Sequence, residues 1–126
     1  MVKQTFLNLS VEKQNKILTA AKEEFARASL KDASVANIIK KAGIPRGSFY
    51  QYFNDLEGIF YYLLEEHSKD VKKRLVDNLV KYKGDVTKSF IDLYQYILKK
   101  ISKEENEAYF KNIFLNMDYK IEKMFL

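Results

Sequence analysis

Apolar residues return every three or four positions along almost the whole chain, and strict apolar–polar alternation never lasts long enough for a strand. A first helix is predicted after Ser10, whose hydroxyl can cap free backbone N–H groups, with Ile17, Leu18, Ala21, Phe25 and Ala28 on its apolar face. The pattern breaks from Ala28 to Ala33, which reads as a loop. A short helix follows from a Ser34 cap through Val35, Ile38, Ile39 and Ala42, and Gly43 ends it. A second short helix starts near Pro45-Arg46 and carries Phe49, Tyr50, Tyr52 and Phe53. Asp55 then caps a long helix bearing Leu56, Ile59, Phe60, Leu63, Leu64, Val71, Leu75, Leu79 and Val80, which runs about 40 Å toward Gly84 at the α-helical rise. Asp85 or Thr87 can cap a fifth helix with Val86, Phe90, Leu93, Tyr94, Ile97 and Ile101. Ser102-Lys103-Glu104-Glu105 has the spacing of a capping box and is expected to open a sixth, with Tyr109, Phe110, Ile113, Phe114, Met117, Ile121 and Phe125. The expected fold class is all-α.

Composition sharpens this picture. Of 126 residues only four are glycine and one is proline, so helix breakers are confined to a few points. Cysteine is absent, which excludes disulfides, iron–sulfur clusters, thiolate zinc sites and a cysteine nucleophile. One histidine, no HExxH and no glycine-rich phosphate loop leave no catalytic constellation, so no enzyme, cofactor or metal site is expected. The longest apolar run, Ile59 to Leu64, is far too short to span a bilayer, and the N-terminus lacks the apolar core of a secretory signal. A soluble protein inside the cell is expected. Residues 1–60 carry nine basic and six acidic groups and residues 61–126 carry thirteen and eleven, so any phosphate-binding surface must be local.

The two short helices around Gly43 carry the chemistry. Two helices of about two turns, joined by a short turn containing glycine, make a helix-turn-helix. In the turn Ala42-Gly43-Ile44-Pro45 the alanine lets the helices approach, the glycine bends and Ile44 plugs the core. The second helix should expose Arg46, Gly47, Ser48, Tyr50, Gln51 and Tyr52 while Phe49 and Phe53 turn inward. Arg46 can pair with guanine O6 and N7, and the hydroxyls of Ser48, Tyr50 and Tyr52 can donate to phosphate. Gly47 removes a side chain where protein and nucleic-acid backbones could meet. Ser34 would turn a hydroxyl and a helix N-terminus toward an anion. A tight corner in a plain helical bundle would show the same backbone pattern; exposing an arginine and two tyrosines there would gain it nothing.

Residues 11–60 resemble the DNA-binding domain of the TetR/AcrR family of bacterial transcriptional regulators. The likeness runs through Lys16 to Ala21, Phe25, Ser34-Val35, Ile38-Ile39 and Ala42-Gly43-Ile44, and is most specific from Arg46-Gly47-Ser48-Phe49-Tyr50-Gln51-Tyr52-Phe53 to Glu57. Ser29, Ala33, Pro45 and Leu56 depart from the family pattern. The resemblance implies a helix-turn-helix domain over residues 1–54, then a long connecting helix and an incomplete helical bundle for ligand binding and dimerisation over residues 55–126. It makes Arg46, with Gln51, the base reader, and Ser34, Ser48, Tyr50 and Tyr52 phosphate contacts, while Lys40 and Lys41 are expected to be solvated. It further implies a bacterial cytoplasmic, nucleoid-associated homodimer on a palindromic double-stranded DNA operator, acting as a repressor that a small apolar or aromatic effector releases. The effector lining would come from Tyr62, Leu63, His67, Phe90, Tyr94, Ile97, Phe110, Phe114 and Met117. The chain supports fewer helices than the family plan and stops inside an amphipathic helix, which reads as truncation of the second domain. Phe110, Phe114, Ile121 and Phe125 are then expected to be exposed. The alternative is a helical adaptor that binds a protein rather than DNA.

Overall fold

A computed structural model describes residues 2–125, apart from the side chains of Glu105, Met124 and Phe125; the expected exposure of Phe125 lies outside these described residues. Eight helices follow in order: α1 (Gln4–Leu7), α2 (Val11–Arg27), α3 (Val35–Ala42), α4 (Arg46–Tyr52), α5 (Leu56–Lys81), α6 (Val86–Ser102), α7 (Glu104–Leu115) and α8 (Tyr119–Phe125). The fold is all-α, as the periodicity requires.

Local chemistry accounts for most of the boundaries. The side chains of Ser10, Ser34, Asp55 and Asp85 accept backbone N–H groups at the starts of α2, α3, α5 and α6. Gly43 ends α3 in the left-handed conformation, at φ 68° and ψ 36°. The capping box expected at Ser102 does not form. Ser102 is the last residue of α6, and Lys103 stands as the N-cap of α7 without a side-chain bond. The single sixth helix divides as well. Asn116 donates its side-chain amide back to the carbonyl and side chain of Asn112, at 2.8 and 2.9 Å, and Asp118 caps α8 by accepting from Ile121 N at 2.8 Å. Such side-chain bonds compete with the helix ladder and stop it.

One buried core runs through the molecule. Ile17, Ala20, Ala21 and Phe25 of α2 share one buried cluster with Ile38, Phe49, Phe53, Phe60, Leu64, Tyr109 and Ile113. The two alanines let helices close on α2 from both flanks, and Asn112 Nδ2 fastens α7 to it by donating to Phe25 O at 2.6 Å. Phe110 and Ile121, expected in water, are 6% and 3% exposed because α7 and α8 fold back onto α2 and α5. Of the predicted exposed set that is described, only Phe114 stands half in solvent. The far end of α5 pairs with α6 through a polar seam: Asp92 accepts from Arg74, Asn78 and Tyr82, and Asp70 accepts from Lys100 and Tyr96. These donors, above all the Tyr82 hydroxyl, hold the Asp92 carboxyl below its ordinary range.

Candidate nucleic-acid interface

The turn after α3 fixes where α4 points. Gly43 supplies the positive φ, Ile44 N returns to Ile39 O at 3.1 Å, and Pro45 enters α4 extended at φ −67°, one residue before the first helical turn. Phe49 and Phe53 are fully buried, which sets the rotation of α4. Arg46, Gly47, Tyr50 and Gln51 are therefore exposed together, with Gly47 and Tyr50 three apart and Arg46–Tyr50 and Gly47–Gln51 four apart, the spacings of neighbours on a helix surface. Tyr52, expected beside them, is half-buried: its ring leans on Phe6 with centroids 6.0 Å apart. Ser48 is also half-buried. A Cβ added at Gly47 would meet nothing within 4 Å, so the chain's own packing does not require glycine there. Lys40 is exposed, and Lys41 lies 3.4 Å from Glu23 across α2.

The N-terminus of α3 holds an anion of its own. Glu24 of α2 is wholly buried and accepts from Ser34 N at 2.7 Å, from Asn37 Nδ2 at 3.1 Å, and from Arg27 Nε and Nη2 at 2.8 Å each. The Arg27 bonds first, then those from Ser34 and Asn37, overcome burial and lower its carboxyl to about 2. Ser34 is thus partly committed: its N–H serves Glu24 and its Oγ accepts from Asn37 N at 3.2 Å. Glu24 therefore takes one amide at this helix end, and the Ser34 hydroxyl hydrogen is not used in these bonds.

The nine residues expected to line an effector cavity do not all meet. His67, Ile97, Phe110 and Phe114 come together, with Val71 and Ile101, around a cavity of about 220 Å³ between α5, α6 and α7. Tyr62 instead packs against Phe6 and Phe53, and Leu63 is sealed in the core. Phe90 and Tyr94 face outward from α6, and Met117 lies in the break before α8. At the cavity wall, His67 Nε2 is buried without a hydrogen-bond partner among the described residues. Burial, reinforced by Lys100 and Lys22, lowers its imidazole to about 4, so it is neutral at pH 7.

Sequence reasoning missed residues 2–9. Lys3, Thr5 and Phe6 fold against the end of α4, a contact whose only trace in the sequence is the apolar run Phe6, Leu7 and Leu9 ahead of Ser10. It also missed Glu24, which periodicity alone reads as one more solvated acid.

Two family models match the chain. Residues 17–63 match bacterial regulatory proteins of the tetR family, and residues 85–126 match the tetracyclin repressor-like C-terminal domain. The chain is 39% identical over 74 residues to YdgC, an uncharacterized HTH-type transcriptional regulator of Bacillus subtilis strain 168, covering 59% of this chain and 37% of that protein. It is 39% identical over 67 residues to a second such regulator of that organism, YvdT, covering 50% and 34%. A crystal structure of a TetR family transcriptional regulator from Chloroflexus aurantiacus J-10-fl superposes with a TM-score of 0.53 at 34% identity, covering 61% of this chain and 35% of that one. The chain spans about a third of the length of these relatives.

Proposed function

The chain belongs to the tetR family of bacterial regulatory proteins, and from that premise we propose that it is a sequence-specific DNA-binding regulator that reads the major groove with α4. The single exposed face of Arg46, Gly47, Tyr50 and Gln51, set by burial of Phe49 and Phe53, is the observation that supports this most directly. In this reading Arg46 forks onto guanine O6 and N7 and Gln51 reads a neighbouring base. Tyr50, Ser48, Tyr52 and the Ser34 hydroxyl donate to phosphates and fix register. Gly47 leaves room for the DNA backbone. One such helix reads only a few base pairs, so two copies would act together on half-sites about 34 Å apart along the duplex.

In this reading residues 1–54 read DNA and residues 55–126 control them, as a repressor released by a small effector in the bacterial cytoplasm. The effector would enter the cavity beside His67, where Ile97, Phe110 and Phe114 offer an apolar wall and His67 Nε2 one hydrogen bond. Filling it would push α5 away from α6 and α7. α5 begins directly after α4, and α7 is fastened to α2, so movement there reaches the reading helix by two routes.

Selection of bound duplexes from a random pool tests this. Arg46→Ala should then cost about 1–3 kcal/mol on the recovered sequence and relax one base pair. Unchanged sequence preference would remove Arg46 from the base-reading role. The second reading, a protein-binding adaptor, draws on the apolar face of α6, where Phe90, Ile91, Tyr94 and Leu98 stand exposed. Recovery of no duplex would favour it.

A further inference from the structure

We propose that residues 2–9 form a clamp that holds α4 in its reading position, with Lys3, Thr5 and Phe6 as positioning residues. α4 has seven residues, too few to keep a helical axis by itself. Its N-cap, Pro45, offers no side-chain bond, and the carbonyls of its last turn have no partner within the helix. Three successive ones are taken by the chain's beginning. Tyr50 O accepts from Lys3 Nζ at 2.7 Å, Gln51 O from Thr5 Oγ1 at 2.6 Å, and Tyr52 O from Lys3 N at 2.9 Å. The Lys3 ammonium also meets the negative end of the helix dipole. Val2 pairs with Phe53 in an antiparallel bridge, and the buried Phe6 ring packs 4.9 Å from Phe53 and 5.6 Å from Tyr62.

The clamp is itself anchored. Gln14 of α2 donates its side-chain amide toward the carbonyls of Phe6, Leu7 and Leu9, at 3.3, 3.2 and 3.1 Å. α4 is thereby pinned at its start by the Gly43 turn and at its end through residues 2–9 to α2. Tyr50 and Gln51 give their carbonyls to the clamp and their side chains to the exposed face, so slack at one shifts the other. Plain core packing would account for Phe6. It does not account for the solvent-exposed bonds from Lys3 and Thr5, which bury little and act only on the end of α4.

The consequence for DNA rests on the regulator reading above, whereas the clamp itself does not, and one set of variants of the full chain separates them. Thr5→Val keeps the shape and removes the hydroxyl; Thr5→Ser keeps the hydroxyl; a Lys3→Met, Thr5→Val double variant removes both side-chain bonds. Amide hydrogen exchange at Gln51, Tyr52 and Phe53 should quicken about fivefold in Thr5→Val, the factor a typical net hydrogen bond supplies. It should quicken further in the double variant and return toward wild type in Thr5→Ser, with α3 and the middle of α5 unchanged. Affinity of Thr5→Val for the duplex recovered from the random pool should fall by a similar factor, with an unaltered salt slope because no charge is lost. Unchanged exchange in α4, or acceleration spread equally over α2, α3 and α5, would overturn the clamp. Faster exchange confined to α4 with unchanged affinity would overturn its positioning role. A wild-type chain that binds no duplex would refute the regulator reading, while the exchange pattern would still decide the clamp.

Discussion

Replacing Glu24 with glutamine tests whether a buried carboxylate holds the first half of the helix-turn-helix in place. Glu24 is wholly buried and ties three elements: Arg27 of its own helix, the Ser34 amide that opens α3, and the Asn37 side chain inside α3. Its carboxyl lies at about 2 in the fold against an ordinary 4.5. At about 1.4 kcal/mol per tenfold change, that difference corresponds to about 3 kcal/mol of stability at neutral pH. The sign follows from proton binding. Below pH 4.5 the unfolded chain takes up a proton that the folded chain refuses, so the stabilisation is complete above 4.5 and drains away as pH falls toward 2. Glu24→Gln keeps the shape, loses the charge and turns an amide donor toward the Arg27 donors. Urea unfolding followed by helical circular dichroism should therefore show a gap of about 3 kcal/mol at pH 7, or roughly 10 °C in melting temperature for a chain of this size. The gap should shrink to about half at pH 3, where the carboxyl is protonated in the unfolded chain but still largely ionised in the fold. An equal gap at both pH values would refute the electrostatic account and leave only packing. No gap at pH 7 would refute the anchoring role altogether.

The His67 imidazole should titrate in the folded protein with a midpoint near 4, read from its ring carbon shift by NMR; a midpoint of 6 or above would mean the ring is hydrated. Because the unfolded chain binds that proton from pH 6.5 downward, His67 costs stability as pH falls through this window, and His67→Leu should flatten the loss. Tyr109 Oη is buried without a partner among the described residues, so Tyr109→Phe should leave stability unchanged or raise it by up to about 1 kcal/mol in urea melts. A loss larger than that would reveal a partner for the hydroxyl. Gly43→Ala should cost about 1 kcal/mol and Gly43→Asn less, because the penalty is torsional: an added Cβ meets only Lys16 Nζ, at an ordinary 3.7 Å. Asparagine costing as much as alanine would point to a clash instead.

The sequence by itself determined the local events: caps at Ser10, Ser34, Asp55 and Asp85, the bend at Gly43, and the inward turn of Phe49 and Phe53 that leaves Arg46 and Tyr50 together outside. Each depends on a residue and its neighbours within about one helical turn, the range over which backbone torsions and capping bonds act. Tertiary structure decided what periodicity could not see. Glu24 reads as a surface acid until Ser34 and Asn37 come round to meet it. The exposure of Phe110 and Ile121, expected from the helices missing from the family plan, does not arise because α7 and α8 fold back over α2 and α5. The Tyr52 ring is held half-buried by Phe6, a residue 46 positions earlier in the chain. Four of nine expected lining residues reached one cavity, because the helical period says that a residue lies on an apolar face but not which other helix covers it. Burial is a property of pairs of faces, and the pairing of faces distant in sequence is settled only when the chain closes on itself.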